Sequence, residues 1–295
     1  MDAPITVTGL RKTYGSRAAV DGIDLRIEAG EVFALLGPNG AGKTTTVEVL
    51  EGFRRRDDGE VRVLGTDPED ADLAWRNRIG IVLQTSTGLD LLTPREAVAS
   101  TAKVYRRPRD VDEVIAAVGL QDKADDRIGK LSGGQRRRLD VALGIVGSPE
   151  LLFLDEPTTG FDPQARRDFW DLIRSLADGG TTILLTTHYL DEAEHLADRV
   201  GVIATGRMLA LDTPANLGGR ASSEATVSWE EDGARRTERT STPTQYVAEL
   251  SARLGGEVPR LTVTRPSLED TYLSLIAPHV DAGAVSTTEL EGVSA

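Results

Sequence analysis

Five short apolar runs punctuate the chain, at residues 32–36, 79–83, 151–154, 182–185 and 200–204. Runs of this length without alternation predict strands buried on both faces. Between the later runs, apolar positions recur at helical spacing over 163–177 and 191–197. Strands that alternate with helices predict an α/β core with a largely parallel central sheet. Three helical patterns at 94–105, 111–118 and 135–146 follow one another with no strand between them, and they predict a helical insertion. Near the start, residues 5–7, 20–27 and 61–64 alternate or run apolar like strands, with turns at Glu28-Ala29-Gly30 and Asp57-Asp58-Gly59.

The pattern changes after Leu217-Gly218-Gly219. Residues 222–242 are charged and rich in Ser and Thr, a short helix is expected near 246–254, and strand-like 261–263 and helix-like 268–276 complete a small α+β unit. A domain boundary is placed there, with the small unit spanning 219–281 and a flexible tail over 282–295.

The chain has 295 residues, 39% of them hydrophobic, enough for one large domain and a smaller one. It contains no cysteine, which excludes disulfides, cysteine nucleophiles and zinc-cysteine sites. Met1-Asp2-Ala3-Pro4 lacks a basic start and an apolar block, so no secretory signal is expected, and no apolar run approaches the ~20 residues that span a bilayer. The formal net charge of −13 argues against a protein that holds nucleic acid, and no nucleic acid partner is expected. Arginine clusters at 54–56, 106–107 and 136–138 interrupt or flank helical patterns and read as solvated faces.

Gly37-Pro38-Asn39-Gly40-Ala41-Gly42-Lys43-Thr44 lies between the strand at 32–36 and a helix opening at Thr45. Glycines let the backbone curl so that successive N–H groups meet phosphate oxygens, and the helix N-terminus favours an anion. In that context the loop predicts nucleoside triphosphate binding, with Lys43 reaching the β- and γ-phosphates and Thr44 offering its hydroxyl to Mg²⁺. A plain glycine-rich turn is the alternative. The strand at 151–154 ends in Asp155-Glu156, where one acid suits Mg²⁺ and the next suits a general base for water. Such a pair also caps helices. Ser132-Gly133-Gly134-Gln135 opens a helix with a backbone shaped to receive an anion, and taken by itself it is an ordinary N-cap.

The order of these segments, with Gln84 and His188 each placed after a strand, resembles the ATP-binding subunit of ABC transporters over residues 5–217. The resemblance implies a P-loop NTPase core in a nucleotide-binding domain at 1–218, with a helical subdomain at about 86–148. It implies ATP and Mg²⁺ as cofactors, with Gly37–Thr44 and Thr45 as the Walker A segment, Asp155 as a metal ligand and Glu156 as the catalytic base. Gln84 matches the Q-loop glutamine that touches Mg²⁺ or water, and His188 the switch histidine at the γ-phosphate. Leu131 to Gln135 matches the signature motif and Asp162 the aspartate of the dimer seam; Phe161 departs from the more usual leucine. Tyr14 sits where the family stacks an aromatic on adenine. The family further implies that a second copy completes each site through Ser132 and Gly134, and that a separate membrane permease carries the substrate while the chain sits on the cytoplasmic face of the membrane. Residues 266–273 resemble the ending of daunorubicin-type exporters, which points to export of a drug, antibiotic or lipid-like compound. An importer subunit is the nearer alternative, and a soluble ABC ATPase on DNA or ribosomes the more distant, for neither heptads nor a second phosphate loop is present.

Overall fold

The computed structural model describes residues 3–82 and 88–280. Two long antiparallel strands, β1 (Ile5–Tyr14) and β2 (Arg17–Ile27), open the chain. β3 (Val32–Leu36) runs into the glycine loop and α1 (Lys43–Leu50), and β4 (Asp58–Val63) returns to pair with β1. A three-stranded sheet of order β2-β1-β4 results. Next come α2 (Leu73–Arg76), β5 (Ile79–Val82) and three helices, α3 (Pro94–Ala102), α4 (Val111–Ala117) and α5 (Gly133–Ile145). The chain then alternates through β6 (Leu151–Asp155), α6 (Pro163–Asp178), β7 (Thr182–Thr187), α7 (Leu190–Leu196) and β8 (Arg199–Ala204), before the antiparallel edge strand β9 (Arg207–Asp212). The central sheet has the order β5-β6-β7-β3-β8-β9, parallel except at β9.

The apolar runs are unbroken because both faces of this sheet are covered. Val32, Ala34 and Leu36 of β3 enter a core formed with α3 to α7, while Phe33 and Leu35 enter a second core with β1, β2, β4 and α1. In β6 the same division sends Leu152 and Leu154 to one side and Leu151 and Phe153 to the other. Each such side chain contributes about 1.5–3 kcal/mol on burial, which fixes the sheet that presents the loops at its strand ends. α6 shows how the helices are set: Asp162 caps it, Pro163 occupies its first turn, and Phe169, Trp170, Ile173, Leu176 and Ala177 form its buried stripe.

The stretch at 222–242, which carries no strand pattern, forms a hairpin of β10 (Ala225–Glu231) and β11 (Ala234–Thr240). Pairing favours it despite its polarity: α8 (Pro243–Leu254) covers one face, where Val227, Trp229, Leu250 and Val258 make a small core, and β12 (Thr262–Thr264) pairs on the other edge of β10. The last helix, α9 (Leu268–Val280), starts with Ser267 accepting from the Asp270 N–H at 3.0 Å. The sequence groups this helix with the small unit, yet its Leu268 and Ile276 pack in the large core with Val200, Val202 and Leu217. The tail at 282–295 lies outside the described residues.

Candidate nucleotide site

β3 ends at Leu36, and the loop after it is pinned between two strands of different sheets. A Cβ on Gly37 would meet the Ile203 carbonyl oxygen of β8 at 2.2 Å, and one on Gly42 would meet the Ala19 carbonyl oxygen of β2 at 2.3 Å. Gly42 also has φ of +108°, so only glycine suits it. Ala41 is buried and donates its N–H to the Pro38 carbonyl at 3.1 Å, while Asn39 and Gly40 lie exposed at the tip. Gly42 caps α1 without a side chain, so the first-turn N–H groups of α1 are available to an anion. Thr44 is exposed and Thr45 half-buried in that turn.

Lys43 is only 7% exposed, and its Nζ donates to the carbonyls of Gly37 at 2.5 Å and Pro38 at 3.3 Å. Burial draws its pKa down, while the Glu156 and Asp155 carboxylates act in the opposite direction. Those acids stand at the end of β6, beside β7. The Thr186 hydroxyl of β7 donates to Asp155, and the Glu156 N–H donates to the Thr186 carbonyl at 3.0 Å. Glu156 has φ of +44°, uncommon for a residue with a side chain. Its Oε1 lies 3.4 Å from Nδ1 of His188, just past β7, and the Thr159 hydroxyl reaches Oε2 at 3.5 Å. The His188 hydrogen bond is the main cause that holds the Glu156 pKa below the usual carboxylate range. Lys43, Asp155, Glu156 and His188 thus converge from α1, β6 and the end of β7.

The other predicted residues lie on two further surfaces. Ser132 caps α5 and shares a capping box with Gln135: the Gln135 N–H donates to Ser132 Oγ at 3.2 Å and the Ser132 N–H to Gln135 Oε1 at 3.0 Å. Gly133 faces open space, and Gly134 faces Phe161 and Ala165, so this turn adjoins the start of α6. Asp162 there accepts from the N–H groups of Gln164 and Ala165, each at 2.9 Å. Phe161 meets Phe169 edge to face at 5.6 Å between centroids, which gives its larger ring a seat. Tyr14, at the end of β1, is 43% exposed, with Arg54 5.2 Å and Lys12 5.8 Å from its ring centre. Gln84 lies outside the described residues.

One sequence expectation is overturned. The 136–138 cluster is not a solvated face throughout: Arg137 is 7% exposed, with Nε donating to the Pro157 carbonyl at 3.0 Å and Nη2 to the Asp155 carbonyl at 2.6 Å. Burial lowers its pKa, opposed mainly by Asp140. The signal was helical period, since Arg137, Val141 and Ile145 recur at four-residue spacing on the buried side of α5.

The ABC transporter family model matches residues 20–159. The daunorubicin/doxorubicin resistance ATP-binding protein DrrA of Streptomyces peucetius is 46% identical over 218 residues, covering 72% of this chain and 66% of that protein. DrrA3 of Streptomyces coeruleorubidus, a daunorubicin resistance ATP-binding protein, is 45% identical over 221 residues, 73% of this chain and 70% of its own. The Nod factor export ATP-binding protein I of Burkholderia orbicola is 40% identical over 217 residues, 72% of this chain and 71% of its own. Among solved structures, the dimeric post-hydrolysis state of an ATP-binding cassette bound to ADP and Pi shares the fold, with a TM-score of 0.63, 24% identity and coverage of 71% of this chain and 98% of that one. This chain belongs to the ATP-binding proteins of ABC transporters and is an ABC-type ATPase.

Proposed function

We propose that this chain binds MgATP on the 37–45 segment and hydrolyses it to drive export of a drug-like or lipid-like compound through a separate membrane permease. The observation that carries the chemistry is the approach of Glu156 to His188 at 3.4 Å, on the same strand ends as Asp155 and with Lys43 near both acids. The residues fit a magnesium-bound triphosphate: α1 opens at Gly42 with no side-chain cap on its first-turn N–H groups, and hydroxyl and carboxylate oxygens are the donors that Mg²⁺ prefers. Thr44 and Asp155 would hold the ion, with Gln84 as a further oxygen donor. When bound, Mg²⁺ neutralises charge on the phosphate oxygens.

The remaining work falls to the chain. The N–H groups at the start of α1, residues 43–45, and the Lys43 ammonium bind phosphate oxygens, and the exposed Tyr14 ring takes the adenine. Glu156, held ionised by its hydrogen bond to His188, accepts the proton of the attacking water at its carboxylate. His188 orients that carboxylate and the terminal phosphate. The exposed Ser132, Gly133 and Asp162, with the half-buried Gly134 and Gln135, form the surface that covers the ATP of a second copy.

The export direction rests on similarity to proteins named for daunorubicin resistance and Nod factor export. No described helix is long and apolar enough to cross a membrane. In the proposed assembly the permease is another chain, and this chain sits on the cytoplasmic face of the membrane. Purification of the tagged full chain from solubilised membranes tests this: an integral permease should co-purify and raise MgATP turnover, and reconstituted vesicles should extrude substrate. Uptake by those vesicles would instead favour an importer.

A further inference from the structure

Glu156 occupies a backbone conformation that side-chain-bearing residues seldom adopt, with φ of +44°, and something has to hold it there. Thr186 does so from β7, through its carbonyl and its hydroxyl at 3.2 Å from the Glu156 nitrogen. The second hold comes from α5. The two carbonyls that accept from Arg137 belong to Asp155 and Pro157, the residues on either side of Glu156. A planar guanidinium presents several donors in a fixed fork, so it restrains both peptide groups at once. Asp140, one turn along α5, stands 3.8 Å from Arg137 Nη1 and faces the buried cation.

We propose that Arg137 is a positioning residue for hydrolysis: it clamps the carbonyls of Asp155 and Pro157, the residues on either side of Glu156, and so sets where that carboxylate points. This role rests on that of Glu156 as the proposed base. It also joins two sites within one chain. α5 is capped by Ser132, on the surface assigned to the second copy's nucleotide, and Arg137 lies five residues further along the chain, within that helix. A shift of α5 on closure of the dimer is thereby transmitted to the carboxylate that hydrolyses the chain's own ATP.

The test compares Arg137→Met, Arg137→Lys and Glu156→Gln in the full chain, with ATP affinity measured by a fluorescent ATP analogue and turnover by phosphate release. Arg137→Met removes the hydrogen bonds to both carbonyls and should lower kcat at least tenfold, with Kd for the analogue and KM changed less than twofold. Arg137→Lys retains the cation and reaches one carbonyl, so it should lose only severalfold in kcat; this variant decides the matter if Arg137→Met does not fold. Wild-type kcat in a folded Arg137 variant, or a parallel loss of ATP affinity and turnover in both, would overturn the clamp. Glu156→Gln separates the two ideas. If it turns over normally, the base assignment fails first; if it is inactive while the Arg137 variants are normal, only the clamp fails.

Discussion

Lys43 and Glu51 are both buried charged residues of the α1 segment, and burial acts on them in opposite directions. Lys43 is drawn down in pKa but keeps two acids nearby and two carbonyls as acceptors. Its replacement by alanine should leave the fold intact and weaken ATP binding about tenfold or more, the scale of a lost charged hydrogen bond, as read by calorimetry. Glu51 is 9% exposed, and burial, with Asp155 and Glu48 adding, pushes its carboxyl up to about 8. A raised acid binds its proton more tightly in the folded state, so its contribution is fully present below about 4.5, the ordinary value, and is lost as pH rises through about 8. Glu51→Gln, neutral throughout, should therefore be more stable than the parent at pH 8 by about 1–3 kcal/mol, with the gap closing towards pH 5. Parallel melting curves for the two proteins across that range would contradict it. Glu156→Gln should bind ATP like the parent while phosphate release falls by about 100-fold or more, the scale of a removed general base.

At the scale of elements, the small sheet gives the sharpest test. Its core is four buried residues with Tyr246, Val247 and Leu254 packed around them, and the Trp229 ring lies 5.9 Å from that of Tyr246. Trp229→Ala should cost about 3 kcal/mol, and hydrogen exchange should show protection lost across 225–264 while β3, β6 and β7 stay protected. Loss spread evenly over both sheets would show that the unit has no independent stability. The same contrast explains what could be read from the chain. β3 and β6 are buried on both faces, so their apolar runs declare them, and the α6 stripe declares its helix. β11 is almost wholly exposed, and Arg235, Arg236 and Arg239 on it carry no inward pattern, so the hairpin was invisible until its partner strands were known. The loop and the acid pair stand out in the chain because the phosphate chemistry proposed for them would fix residue type and spacing. Arg137 was hidden because its partners are carbonyls, which no sequence spells out, and because its two arginine neighbours mask the helical period. The departure of α9 from the small unit was likewise unreadable, since it depends on where Leu217 and Val200 leave space.

In the whole molecule, the converged groups and the exposed Ser132–Asp162 surface are separate features, and in the proposed cycle a second copy brings one onto the other. ATP then acts as the joint between two chains, with hydrolysis at Glu156 releasing it, and the work done on the permease equals the difference in binding between closed and open states. The most direct measurement is the solution mass of Glu156→Gln by light scattering at saturating MgATP. An ATP-joined pair should have twice the 31.7 kDa of one chain with ATP and a single-chain mass with ADP. A mass that stays at 31.7 kDa while calorimetry shows ATP bound would contradict the joint.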